Sequence, residues 1–177
     1  EYRGVSVLSV VGKVFGKVIE TRVRLFCEGK GLLVDNQFGF RENRACRDAL
    51  FVLSEVVKGR GKNRVFAGFL DIAKAYPSVW RKGLWHKLLE MGINGRMLRV
   101  LKSLYARCEV GVRVGGKVEE WYEEFVGVRE GCVLSPILFA LYINGLAEEL
   151  NAEGCGVMIG GKRMSCLMFA DDIVLLA

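Results

Sequence analysis

The sequence has little of what marks several common kinds of segment and site. It contains two prolines in 177 residues, which excludes a proline-rich linker or stalk. Its uncharged stretch at 132–147 is shorter than the roughly 20 apolar residues that span a bilayer, and it includes Ser135 and Asn144. We therefore predict no transmembrane helix and no membrane partner, and we expect no signal peptide. The one histidine, His86, lies on a predicted helix beside apolar residues and is interpreted as structural.

Cysteines are present, but not in a metal-binding pattern. No two of the six have the short spacing of a zinc knuckle. Several, including Cys132 and Cys166, stand beside apolar residues, so we interpret them as small buried side chains in a reducing compartment. This pattern favours an intracellular protein, and it does not distinguish the nucleus from the cytoplasm.

The composition suits one globular domain with a basic first third. Hydrophobic residues make up 51% of the chain, which is enough for a substantial core. The net charge is +6, and the whole excess lies in residues 1–64, which hold 13 Lys and Arg against 7 Asp and Glu. This asymmetry is typical of a protein that binds phosphates, although a solvated basic helix face would give the same count. The chain starts without methionine and stops within an apolar run, so we expect a piece of a longer protein.

Apolar periodicity predicts an α+β domain with an antiparallel sheet packed on helices. A helix is predicted from Ser6, as N-cap, to Phe26. A second helix is predicted to run to Leu150 from Ser135 as N-cap, with Pro136 in the first helical position. The other predicted elements are helices at 47–57, 82–91 and 95–105, a strand at 65–72, and hairpins at 110–122 and 157–169.

Asp171 and Asp172 are the most unusual local feature, because they stand between two apolar runs of strand length. Aspartate is depleted in strands, and an ionised carboxylate is costly to bury without a partner. The nearest basic residues in sequence are Lys162 and Arg163, several positions away. A strand-turn-strand that presents two carboxylates to a hard cation such as Mg²⁺ explains the pattern. An exposed turn that holds two aspartates explains it as well.

Asp71 is the candidate for a third carboxylate. It ends the apolar run 65–70, just as Asp171 follows the run 166–170. If the two strands are neighbours, three carboxylates meet at one sheet edge and fit a two-metal phosphoryl-transfer centre with ions about 4 Å apart. Sequence spacing does not prove that the strands are neighbours. A separation of Asp71 and Asp171 beyond about 8 Å would favour the simple turn.

Five segments, taken in order, resemble motifs of reverse transcriptases, most closely those of non-LTR (LINE-type) retrotransposons. FLDIAKAY at 69–76, GVREGCVLSP at 127–136 and FADD at 169–172 resemble palm motifs A, B and C. YRGVS at 2–6 and QFGFRENR at 37–44 resemble fingers motifs of that group. The resemblance implies a right-hand polymerase fold, with mainly fingers over about 1–64, mainly palm over 65–177, and the thumb absent.

The resemblance implies a metal site. Asp71, Asp171 and Asp172 would be the catalytic residues and would hold two Mg²⁺ ions, with Mn²⁺ as a substitute. The backbone carbonyl of Ile72 would be a further ligand. One ion would activate the primer 3′-hydroxyl, and the other would stabilise the pyrophosphate leaving group.

It also implies a nucleotide site next to the metals. The dNTP-binding residues would be Arg3, Lys74, Ala75 and Tyr76. Tyr76 would be the aromatic steric gate against a ribose 2′-hydroxyl, although without the motif a buried core tyrosine is the simpler interpretation.

Template and primer contacts follow from the fingers motif and motif B. Arg41 and Arg44 would touch template or triphosphate, with exposed, solvated arginines as the alternative. Gly131 would permit close backbone approach to a nucleotide. The implied template- and primer-binding set is Arg41, Arg44, Arg129, Gly131, Ser135 and Pro136.

Four positions depart from the family pattern. Pro77 stands where an aspartate is usual, Glu130 where glutamine is common, and Gly4 and Val133 where proline is common. The three metal carboxylates are intact. A decaying copy of an element would accumulate such changes.

We therefore predict an RNA-directed DNA polymerase domain of a LINE-type element, with an RNA template, a DNA primer and dNTPs as partners. One alternative is a catalytically inactive, reverse-transcriptase-like RNA-binding domain from a decayed copy. Another is an α+β domain whose paired aspartates only form a turn. The oligomeric state is not predicted. Because the thumb is missing, we expect the 177-residue piece to show little processive synthesis.

Overall fold

The computed structural model describes residues 6–59, 64–159 and 161–177. It contains helices and antiparallel strands without strict alternation, which confirms the α+β prediction. Among the described residues, every helix is too short or too polar to cross a lipid bilayer. The helices are α1 (Val10–Gly29), α2 (Cys46–Gly59), α3 (Ala75–Ser78), α4 (Arg81–Glu90), α5 (Gly95–Leu104) and α6 (Ser135–Ala152). The strands are β1 (Ala67–Asp71), β2 (Glu109–Val114), β3 (Lys117–Glu123), β4 (Val157–Ile159), β5 (Lys162–Met164), β6 (Cys166–Phe169) and β7 (Asp172–Leu176).

The central sheet brings together the strands that carry the aspartates. Its strand order is β1-β7-β6, and both pairings are antiparallel. Strands β6 and β7 form a hairpin, and β1 joins the free side of β7 although about 100 residues separate them along the chain. Two further two-stranded sheets, β2-β3 and β4-β5, are separate from it.

Each face of the central sheet packs on a different helix. Met168 and Ile173 belong to the main core together with Leu141 of α6, which is fully buried. Leu167, on the alternate face, packs in a smaller cluster with Val56 of α2. Helix α6 is apolar on nearly all sides, and such a helix is expected in a core. It therefore provides the support on which the sheet is fixed.

Helix α1 begins at Val10, three residues later than an N-cap at Ser6 predicts. Its N-cap is Ser9, which has an extended backbone and whose side-chain oxygen accepts the Gly12 amide at 3.1 Å. Ser6 is not the cap, because residues 6–9 precede the helix; its amide donates to the Glu130 carbonyl at 2.8 Å. Both serines have the right chemistry for a cap, so cap chemistry alone does not choose between them.

The apolar stripe of α1 is buried only in its second half. Ile19 and Val23 lie in the core, whereas Val11 and Val14 are exposed. The helical period is therefore correct, but it does not show how far along the helix the core extends.

Most other predicted elements are found within one or two residues, with three differences. Helix α6 has Leu134 as N-cap, so Ser135 and Pro136 are its first two residues. The short helix α3 was not predicted. The second strand of the hairpin predicted at 157–169 is interrupted at Ser165. This break separates β5 from β6, which join different sheets.

The cysteine prediction is half correct. Cys27, Cys108 and Cys166 are buried, and burial raises the pKa of the Cys27 thiol to about 12. Cys46 and Cys155 are exposed, contrary to the expectation of buried side chains. The residues that flank a cysteine in the sequence do not show whether its side chain faces the core or the surface.

Candidate active site

Asp71 and Asp172 lie opposite each other where β1 pairs with β7. They are Cα partners at the end of the ladder. At its other end, Phe66 and Ala177 exchange both backbone hydrogen bonds, at 2.7 and 3.0 Å. Because hydrogen-bonded and non-hydrogen-bonded pairs alternate along an antiparallel ladder, Asp71 and Asp172 form a non-hydrogen-bonded pair. Such a pair has Cα atoms about 4.5 Å apart and side chains on one face. The strands that precede Asp71 and Asp171, β1 and β6, are not direct neighbours as the sequence argument supposed, because β7 lies between them.

Asp171 lies in the turn that joins β6 to β7. Phe169 pairs with Asp172, so Ala170 and Asp171 form a two-residue hairpin turn. Ala170 has a φ of +58°, and Asp171 is not among the described residues with positive φ. Positive φ at only the first central position is the pattern of a type II′ turn, where glycine is usual. Alanine at this position holds the backbone of the turn in a strained conformation.

The three carboxylates have no positive partner among the described residues. The side chains of Asp71, Asp171 and Asp172 take part in none of the ion pairs or side-chain hydrogen bonds between described residues. Asp71 and Asp172 are exposed, and Asp171 is half-buried. No described lysine or arginine therefore neutralises this concentration of negative charge.

The side chains are not gathered into a ready metal cluster. In the described part of the chain, no three His, Cys, Asp or Glu side chains are close enough to hold an ion. Asp171 belongs to the turn rather than to the ladder, and like charges repel one another. The backbone pairing thus brings Asp71 and Asp172 together. The side chains of the three aspartates do not converge as expected.

The donor set nevertheless suits a hard divalent cation. It consists of carboxylate oxygens, with the Ile72 carbonyl one residue beyond the last ladder pair. Since Asp71 and Asp172 are exposed, their side chains can change rotamer without displacing the core. A cavity of about 330 Å³ adjoins them, with walls formed by apolar residues of α2 and of the sheet.

The three predicted dNTP residues that the structure describes directly follow the Asp71 strand. Lys74 is exposed and has a left-handed backbone with φ +52°. Ala75 and Tyr76 are buried at the start of α3. The Tyr76 ring stacks on Phe139 of α6, with centroids 5.1 Å apart. The ring therefore occupies the core, as the simpler interpretation expects, and the steric-gate role stays a prediction. Arg3, the fourth residue, lies outside the described residues.

Arg41 and Arg44 bind within the protein. Arg41 donates to both carboxylate oxygens of Glu28, at 3.1 and 2.7 Å, and to the Val34 carbonyl at 2.9 Å. Arg44 pairs with Asp35 at 2.8 Å. The hydrogen bond and charge of Arg41 lower the pKa of Glu28, and those of Arg44 lower the pKa of Asp35. Both arginines are partly buried, so the alternative of exposed, solvated arginines is wrong.

The motif B residues are divided between a surface turn and the core. Gly131 is exposed and has φ +87°, which suits a close approach of another chain. Arg129 donates to the Leu104 carbonyl at 3.2 Å, and its guanidinium lies over the Tyr105 ring. Ser135 is buried, with its hydroxyl 3.4 Å from that of Tyr105, and Pro136 is half-buried. In the described structure only Gly131 of this set is fully available to a ligand.

Arg81 was not singled out in the sequence, yet it fixes the segment that leads into motif B. It is 8% exposed and donates to the carbonyls of Gly127, Glu124 and Val126, at 2.7, 2.6 and 2.9 Å. A Cβ at Gly127 would lie 2.6 Å from the Pro77 carbonyl oxygen, so the two segments are in direct backbone contact. Motif B is thereby held against the end of motif A.

Comparison with protein families identifies this arrangement. The model of the family described as "Reverse transcriptase (RNA-dependent DNA polymerase)" matches residues 1–177. The chain belongs to the reverse transcriptase family. The family prediction made from the motifs is therefore confirmed.

Two relatives place this reverse transcriptase domain among those of LINE-type elements. The chain is 29% identical to the "Probable RNA-directed DNA polymerase from transposon X-element" of Drosophila melanogaster, over 97% of this chain and 18% of that protein. It is 28% identical to the "Retrovirus-related Pol polyprotein from type-1 retrotransposable element R2" of Nasonia vitripennis, over 99% of this chain and 17% of that protein. The chain thus spans less than a fifth of the length of these curated relatives.

A solved telomerase has the same fold. The structure of telomerase from Candida albicans, in complex with a fragment of telomeric RNA, superposes with a TM-score of 0.66. Sequence identity is 14%, and the match covers 94% of this chain and 30% of that one. At this identity the likeness shows the polymerase fold and nothing more specific.

Two contacts of this reverse transcriptase domain were missed from the sequence. Arg81 had a weak signal, since it follows the apolar Val79 and Trp80 at the start of a helix. Gln37 was noticed only as part of the fingers motif, and the contact of its side-chain oxygen with the Ala170 amide, at 3.0 Å, could not be foreseen. Both act on backbone groups that are distant in sequence, and a motif does not reveal such contacts.

Proposed function

We propose that this domain carries the metal-dependent centre of an RNA-directed DNA polymerase, which adds a dNTP to a primer 3′-hydroxyl on an RNA template. The observation that carries the proposal is the pairing of Asp71 with Asp172 beside the Asp171 turn, with no positive partner among the described residues. Oxygen ligands of this kind select Mg²⁺, and Mn²⁺ substitutes for it.

Each part of the proposed centre has a distinct task. Asp71, Asp171 and Asp172 hold the metal, and the Ile72 carbonyl adds a ligand. When two Mg²⁺ ions are bound, they supply activation of the 3′-hydroxyl and stabilisation of the pyrophosphate. The ladder keeps the backbones of Asp71 and Asp172 at a fixed separation, and such preorganisation favours catalysis by positioning.

The substrate side of the proposal rests on charge and exposure. The exposed Lys74, with Arg3, is proposed to meet the dNTP phosphates, and Tyr76 to limit the space beside the sugar. The exposed turn at Gly131 is proposed to meet the template backbone. The basic excess of residues 1–64 supports a nucleic-acid partner, as does the RNA bound to the telomerase of the same fold. Arg41 and Arg44 are proposed to shape the fingers loop through Glu28 and Asp35 rather than to touch nucleic acid.

Metal binding by the chain itself is the first test. Free Mn²⁺ is measured by electron paramagnetic resonance in the wild type, in Asp171→Asn and in the control Glu123→Gln. Glu123 is an exposed residue of β3 opposite Glu109, so its substitution removes one negative charge away from the site. We expect the wild type and Glu123→Gln to bind Mn²⁺ alike and Asp171→Asn to bind it at least about 10-fold more weakly. Equal binding by all three would contradict the metal assignment.

Primer extension is the second test. The protein is given a primed RNA template, dNTPs and Mg²⁺. We expect incorporation that depends on Mg²⁺ and that is lost in Asp171→Asn. RNA binding without any incorporation by the wild type would instead support the inactive RNA-binding alternative.

A further inference from the structure

We propose that Gln37 is a positioning residue that fixes the Ala170–Asp171 turn and thereby sets the metal affinity of the carboxylates. The proposal rests on the metal site proposed above. It concerns a side chain that lies outside the metal ligands and 133 residues away from the turn in sequence.

The Gln37 side chain bridges both backbone polar groups of Ala170. Its Oε1 accepts the Ala170 amide at 3.0 Å and the Gly39 amide at 2.8 Å. Its Nε2 donates to the Ala170 carbonyl at 3.4 Å. Gln37 is 1% exposed and Ala170 is 6% exposed, so water does not replace these bonds readily.

Backbone pairing places Gln37 beside the turn. The Met168 amide donates to the Asn36 carbonyl at 2.9 Å, and the Phe38 amide donates to the Met168 carbonyl at 2.8 Å. Gln37 and Met168 thus form a parallel bridge on the side of β6 that β7 does not occupy. The Asn36 side chain adds a bond to the Cys166 carbonyl at 2.8 Å. The segment 36–38 therefore acts as a short fourth strand of the sheet.

The turn needs such support because its first central residue is not glycine. Ala170 holds φ at +58°, a conformation that a residue with a side chain rarely adopts without external contacts. The amide group of Gln37 suits the task, since one end accepts the Ala170 N–H and the other donates to its C=O. Without it, the turn would be free to relax, and Asp171 and the start of β7 would move with it.

Gly39 shows how closely the loop lies on the turn. A Cβ at Gly39 would be 2.2 Å from the Ala170 nitrogen and 3.0 Å from the Gln37 Oε1. Only glycine permits this approach, so the loop and the turn are matched in shape as well as in hydrogen bonding. The loop is in turn anchored by Arg41 to Glu28.

The test compares Gln37→Met with the matched control Asn144→Leu. Methionine keeps the length of glutamine and removes its polar atoms. Asn144 is also 1% exposed and bridges two backbone groups, the Val34 amide at 2.9 Å and the Leu32 carbonyl at 3.1 Å, but it does not contact the turn. Thermal unfolding, Mn²⁺ affinity and the hydrogen exchange rate of the Ala170 amide are measured for each protein.

We expect Gln37→Met to weaken Mn²⁺ binding about 10-fold and to speed exchange of the Ala170 amide by a similar factor. Asn144→Leu is expected to lower the unfolding temperature and leave both quantities within twofold of the wild type. Wild-type Mn²⁺ affinity together with unchanged Ala170 protection in Gln37→Met would overturn the proposal. Equal weakening of Mn²⁺ binding in Asn144→Leu would overturn it too, because the effect would then be one of general destabilisation.

Two further arms keep the result interpretable. If Gln37→Met does not fold, Gln37→Asn is used, which keeps the amide but is one methylene too short to reach the turn. The Mn²⁺ affinity and the Ala170 exchange rate of Gln37→Asn are then judged by the same criteria as for Gln37→Met. If the wild type itself binds no Mn²⁺, the metal proposal has failed, and the Ala170 exchange rate still decides whether Gln37 holds the turn.

Discussion

Arg81 is the residue whose replacement by methionine we expect to be most damaging outside the apolar core. Its guanidinium donates to the carbonyls of Gly127, Glu124 and Val126 at 2.6–2.9 Å and forms an ion pair with the Glu124 carboxylate at 3.3 Å. The Arg81→Met substitution keeps the aliphatic stem and removes every donor. At least the Gly127 carbonyl, which is buried, then has lost its partner.

The magnitude follows from these contacts. An unsatisfied buried acceptor costs about 1–3 kcal/mol, and the ion pair adds at most about 1 kcal/mol because the Glu124 carboxylate is partly exposed to water. The terms overlap because they share one guanidinium, so we expect a loss of about 3 kcal/mol rather than their sum. For a domain of this size that corresponds to a fall in unfolding temperature of about 10 °C.

The assay is urea unfolding followed by circular dichroism, with thermal unfolding as a check. Lys82→Met is the matched control, since the neighbouring Lys82 is exposed and forms no ion pair with a described residue. We expect less than about 0.5 kcal/mol for the control, and an intermediate loss for Arg81→Lys, whose single ammonium cannot reach all three carbonyls. A loss below about 1 kcal/mol in Arg81→Met would refute the reasoning, because the carbonyls would then have found other partners.

Three other predictions concern stability. Leu141→Ala, at a fully buried position of α6, is expected to cost about 2–5 kcal/mol in urea unfolding, and the exposed Leu89→Ala should cost far less. Because Arg41 holds the pKa of Glu28 below its ordinary value of 4.5, the stability from this pair is present above pH 4.5 and is lost as the pH falls through the lowered pKa. Urea midpoints between pH 6 and pH 3 should therefore fall less steeply in Glu28→Gln than in the wild type. Burial raises the pKa of Tyr105 from 10.0 to about 12, so stability is expected to decline as the pH rises from 10 towards 12, and less so in Tyr105→Phe.

Each of these has a clear contrary result. Equal costs for the Leu141 and Leu89 variants would mean that α6 is not the centre of the core. Parallel acid curves for wild type and Glu28→Gln would mean that the pair with Arg41 contributes nothing. Parallel alkaline curves for wild type and Tyr105→Phe would mean that the phenol ionises without unfolding the protein.

The helix starts illustrate what local sequence can and cannot decide. Ser6 and Ser9 are equivalent as capping residues by their chemistry, and the structure shows that Ser9 is the one that binds the Gly12 amide. The N-cap predicted at Ser135 was one position too late, because Leu134 is the N-cap of α6. Cap chemistry gives the approximate start of a helix, and the folded structure fixes the residue.

The arginines show the same limit at the site. The motif indicated that Arg41 and Arg44 lie in a functional loop, but not which groups they bind. Their partners, Glu28 and Asp35, stand outside the motif, and the pairing depends on how α1 and the loop meet. Electrostatic partners of flexible side chains are a property of the folded chain.

The sequence by itself determined the family and the α+β class, because apolar periodicity and motif chemistry are local. The three carboxylates were predicted from the same motifs as the metal site, and that role stays a prediction. The tertiary structure alone decided that β1 lies beside β7 and aligns Asp71 with Asp172, since strand order depends on long-range packing. It alone also decided that Gln37 reaches the strained Ala170 turn. Both facts arise from contacts across about 100 residues or more of chain, and no local pattern encodes such contacts.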